Sequence, residues 1–131
     1  MKVKEVKLFK KKLPYPVGNM HFLYCVTYRE YDPTIRKNSS SAPLEAWEVY
    51  ANKLDGHYVL RERYFNLESP NLDAREFDSD DVFGVCYTQK EANERIYRRT
   101  KKHAEKIAQK RGATTLEDLT HQFQRLPRGS K

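Results

Sequence analysis

Between Met20 and Tyr31, apolar and polar positions alternate with a period of two. Met20, Phe22, Tyr24, Val26 and Tyr28 share one face of an extended chain, and His21, Leu23, Cys25, Thr27 and Arg29 share the other. The first face predicts a strand side that meets the core; the second is mixed and predicts partial cover. Residues 2–9 alternate more weakly, with Val6 and Leu8 on one side and lysines between them, as in a short edge strand. Pro14 and Pro16 end regular structure after Lys10-Lys11-Lys12, and residues 32–43 are a loop by their Pro, Asn and Ser content. Residues 44–54 carry two patterns. Leu44, Trp47, Ala51 and Leu54 would form a helical stripe, whereas Trp47, Val49 and Ala51 alternate as a strand. The strand is preferred, because Asp55-Gly56 is a hairpin signal and His57–Phe65 continues with β-branched and aromatic residues. A loop over 66–81 holds Pro70 and the acids Asp73, Glu76, Asp78, Asp80 and Asp81, and Val82–Tyr87 then reads as a buried strand.

Thr88-Gln89-Lys90-Glu91 is a capping box and opens a helix that Gly112 should stop after Arg111. At 1.5 Å per residue that helix is ~34 Å long. Thr114-Thr115-Leu116-Glu117 has the same form and predicts a second, shorter helix with Leu116, Leu119 and Phe123 on one face, ending before Pro127. The expected fold is α+β: a small antiparallel sheet of four to five strands with a C-terminal helical hairpin, one long basic helix and one short. It forms a single domain over residues 1–126, with 127–131 as a flexible tail.

A chain of 131 residues fits one domain, and its 38% apolar content makes the nine Tyr and six Phe important core material. No stretch of eighteen apolar residues is present, so no membrane partner is expected. Met1–Glu5 lacks an apolar signal stretch, and two cysteines are too few for a disulfide framework or a zinc site of their own. An intracellular protein, cytoplasmic or nuclear, is the expectation.

The net charge of +7 is unevenly spread. Residues 1–19 hold six Lys against one Glu, 20–88 hold seven basic against twelve acidic residues, and 89–131 hold twelve basic against five acidic ones. Such a dipole suits a polyanionic partner on one face; basic ends folding over an acidic middle would use the same charges internally.

On the long helix, Ala92, Ile96, His103, Ala104, Ile107 and Ala108 fall on one face and can dock on a sheet. Arg95, Arg98, Lys102 and Lys106 recur at three- and four-residue steps on another face, where they can follow a phosphate backbone. Arg99 adds a further bidentate phosphate donor, and Lys10, Lys11 and Lys12 form an auxiliary patch. The same helix places Glu91 early and Lys110 and Arg111 late, which suits its dipole with no ligand. Tyr24, Tyr28, Tyr58, Tyr64 and Tyr97 stand beside basic residues as core, rim or base-stacking groups.

Catalytic signals are weak. The acids of 73–81 lack the spacing of a calcium loop, and the four histidines form no one-turn pair. Cys25 and Cys86 would approach each other only if their strands pair. No catalytic residue, metal or cofactor is assigned, and an enzyme ranks third. The leading expectation is a small basic nucleic-acid-associated protein that contacts DNA or RNA phosphates through its long helix. The alternative is a non-catalytic protein-interaction module, an inhibitor or adaptor, for an acidic or nucleic-acid-bound partner.

Overall fold

A computed structural model describes residues 2–11, 19–34, 43–66 and 81–119, without the side chains of 65 and 66. Its strands are β1 (Val3–Lys10), β2 (Met20–Tyr31), β3 (Glu45–Leu54), β4 (His57–Asn66), β5 (Asp81–Cys86) and β6 (Thr114–Asp118), in the order β5-β4-β3-β2-β1-β6. The first five form an antiparallel meander. Helix α1 (Gln89–Arg111) then leaves β5 at one edge and delivers β6 to the opposite edge, parallel to β1. A parallel pairing needs a crossover of this kind.

The α+β class holds, but the expected architecture is corrected twice. The sheet has six strands and is mixed, where four or five antiparallel strands were expected. The helical hairpin is also wrong, because Thr114-Thr115-Leu116-Glu117 is extended and pairs from Glu5↔Thr114 to Phe9↔Asp118. Two adjacent threonines favour extended backbone, and β1 offers an outer row of N–H and C=O groups that pairing satisfies. A local capping signal is too weak to outweigh that row. The remainder of the expected second helix and the 127–131 tail lie outside the described residues.

Residues 45–54 are a strand, as the preferred reading had it, and pair with β4 without interruption down to Leu54↔His57. The turn is Asp55-Gly56, both at positive φ (39° and 82°), as a tight two-residue hairpin turn requires. Helix α1 also begins and ends as expected. The Thr88 hydroxyl accepts the Glu91 N–H at 3.1 Å, and Gly112 closes the helix at φ 64°. Thr88→Ala should therefore cost about 1 kcal/mol in chemical denaturation; no measurable loss would mean that the cap contributes nothing.

The buried side of α1 consists of Ala92, Ile96, Thr100, His103, Ala104 and Ile107. Ile96 and Ala92 join Tyr24, Val49, Leu60 and Cys86 in one cluster, while Ala104 and Ile107 join Val6, Leu8, Val26 and Tyr28 in another. A smaller cluster of Leu23, Cys25 and Tyr50 lies on the other face of the sheet, with Phe9 and Met20 against it. Met20 was expected beside Tyr24, on the helix side. A bulge between His21 and Tyr24 inserts one extra residue, and Phe22 sits in it at φ 55°. The extra residue reverses the alternation upstream, so Met20 changes faces.

The two thiols do not meet. Cys25 and Cys86 belong to clusters on opposite faces, and β3 and β4 separate their strands. At about 4.8 Å per strand spacing this is a separation of ~14 Å across the sheet, well beyond disulfide reach. Burial, helped by Glu48, pushes the Cys25 thiol up to about 12, and burial also raises Cys86. Both are therefore protonated at neutral pH, which opposes a nucleophilic role. Among the described residues, no helix is long and apolar enough to cross a membrane.

Candidate nucleic-acid interface

Helix α1 lies on the sheet with its two flanks in different surroundings. The flank toward β1 and β6 is neutralised: the Tyr97 hydroxyl donates to Glu117 at 3.1 Å, and Lys101 pairs with Glu117 at 3.5 Å. The flank toward β4 and β5 is basic. There Arg95, Arg98, Arg99 and Lys102 surround a cleft of about 220 Å³, with Phe83 as the one other described residue that lines it. Among the described residues, no carboxylate lines it.

Phe83 reaches this cleft through a second bulge. Leu60 pairs with Gly84 and Arg61 with Val82, which leaves Phe83 as the extra residue of β5. Strict alternation would turn its ring away from the helix; the bulge brings it against the helix-side cluster. At Gly84 the absence of a side chain leaves room for the Arg95 guanidinium, the flexible end of a long side chain. Arg95 lies over that gap and donates to the Val85 carbonyl at 3.3 Å.

Arg99 is anchored from below. Its guanidinium donates to both oxygens of Glu62, at 2.9 and 2.8 Å, and rests 4.6 Å above the Phe83 ring. Glu62 is buried and also meets His103 Nε2 at 2.7 Å. Burial pushes the Glu62 carboxyl up, but the Arg99 and His103 hydrogen bonds together outweigh it and hold the group below the ordinary carboxylate range. Burial lowers His103 more than Glu62 raises it, so the ring is neutral near pH 7. An ionised carboxylate can only accept, so Nε2 carries the proton that bridges the pair. The other side of His103 stacks on Trp47, with ring centroids 3.9 Å apart and planes 8° from parallel.

Beyond His103 a second cleft, of about 320 Å³, opens along the same flank. Trp47, Tyr64, His103, Ile107, Lys106 and Lys110 line it, with Glu45 at its base. Glu45 is 2% exposed and is neutralised by Arg111, whose Nε donates to it at 3.0 Å while the guanidinium also covers the Tyr28 ring.

The expected site residues divide accordingly. Arg95, Arg98, Arg99 and Lys102 converge on the first cleft, and Lys106 stands at the second. Arg98, Lys102 and Lys106 are exposed and carry no ion pair among the described residues. Lys10 and Lys11 of the lysine patch do not extend this surface. Lys10 lies with Phe22, Gln89, Lys90 and Asn93 beyond the start of the helix, and Lys11 pairs with Glu48 at 3.6 Å on the opposite face of the sheet. Lys12 lies outside the described residues, as do Asp73, Glu76, Asp78 and Asp80 of the acidic run. Tyr24 and Tyr28 have no exposed surface and Tyr58 very little, so of the tyrosines singled out only Tyr64 and Tyr97 remain partly open.

Sequence reasoning passed over Glu62, Phe83 and Trp47. Glu62 is one acid among many, 37 residues from Arg99, and no spacing rule links the two. Phe83 owes its position to a bulge that alternation does not foretell. Among the described residues, no three His, Cys, Asp or Glu side chains gather as a metal site needs. No protein-family model, curated protein or solved structure matches the chain.

Proposed function

We propose that this protein binds nucleic acid through the basic flank of α1, with Arg95, Arg98, Arg99 and Lys102 contacting phosphates and Lys106 continuing the row. The observation that carries the reading is the cleft on which four cationic side chains converge, with no carboxylate among its described lining residues. Like charges so crowded repel one another, and an anion between them relieves that repulsion. The internal ion pairs do not account for the whole row. Glu62 holds Arg99, whereas Arg98 and Lys102 have no acidic partner among the described residues. Arg supplies forked donors that fit phosphate oxygens, and bound phosphates release condensed counterions.

The test separates binding from folding. Arg99 is paired with Glu62 and Arg95 donates to the Val85 carbonyl, so both stay intact. Arg98, Lys102 and Lys106 become Gln, which preserves helix propensity. Stability should change by no more than about 0.5 kcal/mol. Affinity for an oligonucleotide should fall on the order of tenfold or more, and the log–log salt slope should flatten by up to about 2 units on single strands. Parent-like binding by the triple variant would remove this flank from the interface.

A second reading, an adaptor or inhibitor gripping a protein, is favoured by β5. That edge strand presents Val82 at 52% exposure and Val85 at 45%, with Tyr87 just beyond it at 71%. Polyglutamate bound as tightly as an oligonucleotide of equal charge would move that reading ahead.

A further inference from the structure

We infer that the second cleft is a nucleobase site and that the preferred ligand is a single strand, a reading that rests on the nucleic-acid function proposed above. The argument starts from the helix. Arg98, Lys102, Lys106 and Lys110 recur at every fourth residue, so they are spaced ~6 Å along the axis and each step turns about 40°. All four are exposed, with no ion pair among the described residues. The turn has a direction. Arg98 and Lys102 border the first cleft, and Lys106 and Lys110 border the second, so the row descends from the outer surface of the helix toward the sheet. A strand whose phosphates follow this row is led into the second cleft.

What waits there is aromatic. Trp47 and Tyr64 are cross-strand partners on β3 and β4, with ring centroids 4.6 Å apart, and both rings border the cleft. The Arg99 guanidinium covers the Phe83 ring in the first cleft, and His103 stacks on one side of Trp47 in the second, so each of these rings already has a partner on one side. The two clefts thus differ in chemistry: cations predominate in the first, and rings flanked by cations in the second. A volume of about 320 Å³ lies at the low end of small-molecule sites, enough for one planar heterocycle. The one carboxylate among the described lining residues, Glu45, is neutralised by Arg111 and does not repel the strand. A base held in a duplex is paired and stacked and must be pulled out to enter, so the cleft selects for single strands. Alternate cation and ring along one groove is the general solution for binding them.

Trp47 is the only tryptophan of the chain and reports on the cleft directly. The full-length protein is titrated with a short thymidine oligomer, with the same oligomer annealed to its complement, and with inorganic polyphosphate. The single strand should bind tightest and change Trp47 emission, whereas polyphosphate should bind without that change. Tyr64→Leu should weaken the single strand on the order of tenfold and leave polyphosphate affinity and the salt slope unaltered; a melting curve confirms that the variant is folded. Equal affinity for the three polyanions with Trp47 emission unmoved would overturn the base site and leave the phosphate row standing. Equal weakening of oligomer and polyphosphate by Tyr64→Leu would also overturn it. Absence of any binding at low salt would overturn both readings together.

Discussion

Glu62→Ala should lower the unfolding free energy by about 2–4 kcal/mol, the largest loss expected from removing any one polar group at the site. Glu62 is 8% exposed and is the shared acceptor for Arg99 and His103. Its removal leaves a guanidinium without a counter-ion and a buried imidazole without an acceptor. The Arg99 side chain retains 37% exposure and recovers some hydration, which keeps the loss below the upper range for a buried pair. Glu62→Gln retains one acceptor oxygen and should cost about half as much.

The pH dependence follows from the same contacts. Glu62 titrates below its ordinary value in the folded protein. Its stabilisation is complete above the unfolded carboxylate range, about pH 4.3, and is lost as pH falls through the lower folded value. His103 is also lowered. The unfolded chain takes up that proton first, so stability falls as pH drops below about 6.5, until the folded imidazole is protonated as well. Denaturant midpoints measured from pH 7 to pH 3 should decline across both windows. In Glu62→Gln the more acidic contribution of this group should vanish, while the His103 window remains. A wild-type profile flat from pH 7 to pH 5 would exclude a neutral buried His103.

Ile96→Ala should cost about 2–4 kcal/mol. Ile96 has no exposed surface and lies in the cluster with Tyr24, Val49, Leu60 and Cys86, so truncation leaves a void where helix and sheet meet. Leu116→Ala is the control: that side chain is 47% exposed on β6 and should change stability by no more than about 0.5 kcal/mol. If chemical denaturation gives the two substitutions equal effects, α1 does not dock through Ile96.

The cations of α1 therefore fall into two groups that a charge count cannot separate. Arg99 and Arg111 tie the helix to Glu62 and Glu45 in the acidic middle of the chain. Arg98, Lys102, Lys106 and Lys110 face outward along the same helix. Cations engaged in internal neutralisation and exposed cations with no ion pair among the described residues thus coexist on one element.

The amino-acid sequence determined by itself whatever depends on neighbours within a few residues. Thr88 and Gly112 bound α1 because cap hydrogen bonds and a left-handed C-terminus are local. Asp55-Gly56 makes the β3–β4 turn because its backbone angles are intrinsic to those residues. The apolar stripe of α1 and the helical spacing of its cations are likewise matters of one period. The tertiary structure decided everything that depends on which distant segments become neighbours. Thr114–Asp118 became a strand because β1 had an edge to fill. Phe83 and Met20 took their faces from bulges, each a single inserted residue whose cause is the register of the adjoining strand. Glu62 was distinguished from the other acids only when β4 came to lie beneath Arg99 and His103, and Trp47 and Tyr64 formed a cleft only when α1 crossed above them. Local hydrogen bonds and periodicity are written residue by residue, whereas pairing and burial are long-range choices that the whole chain makes at once.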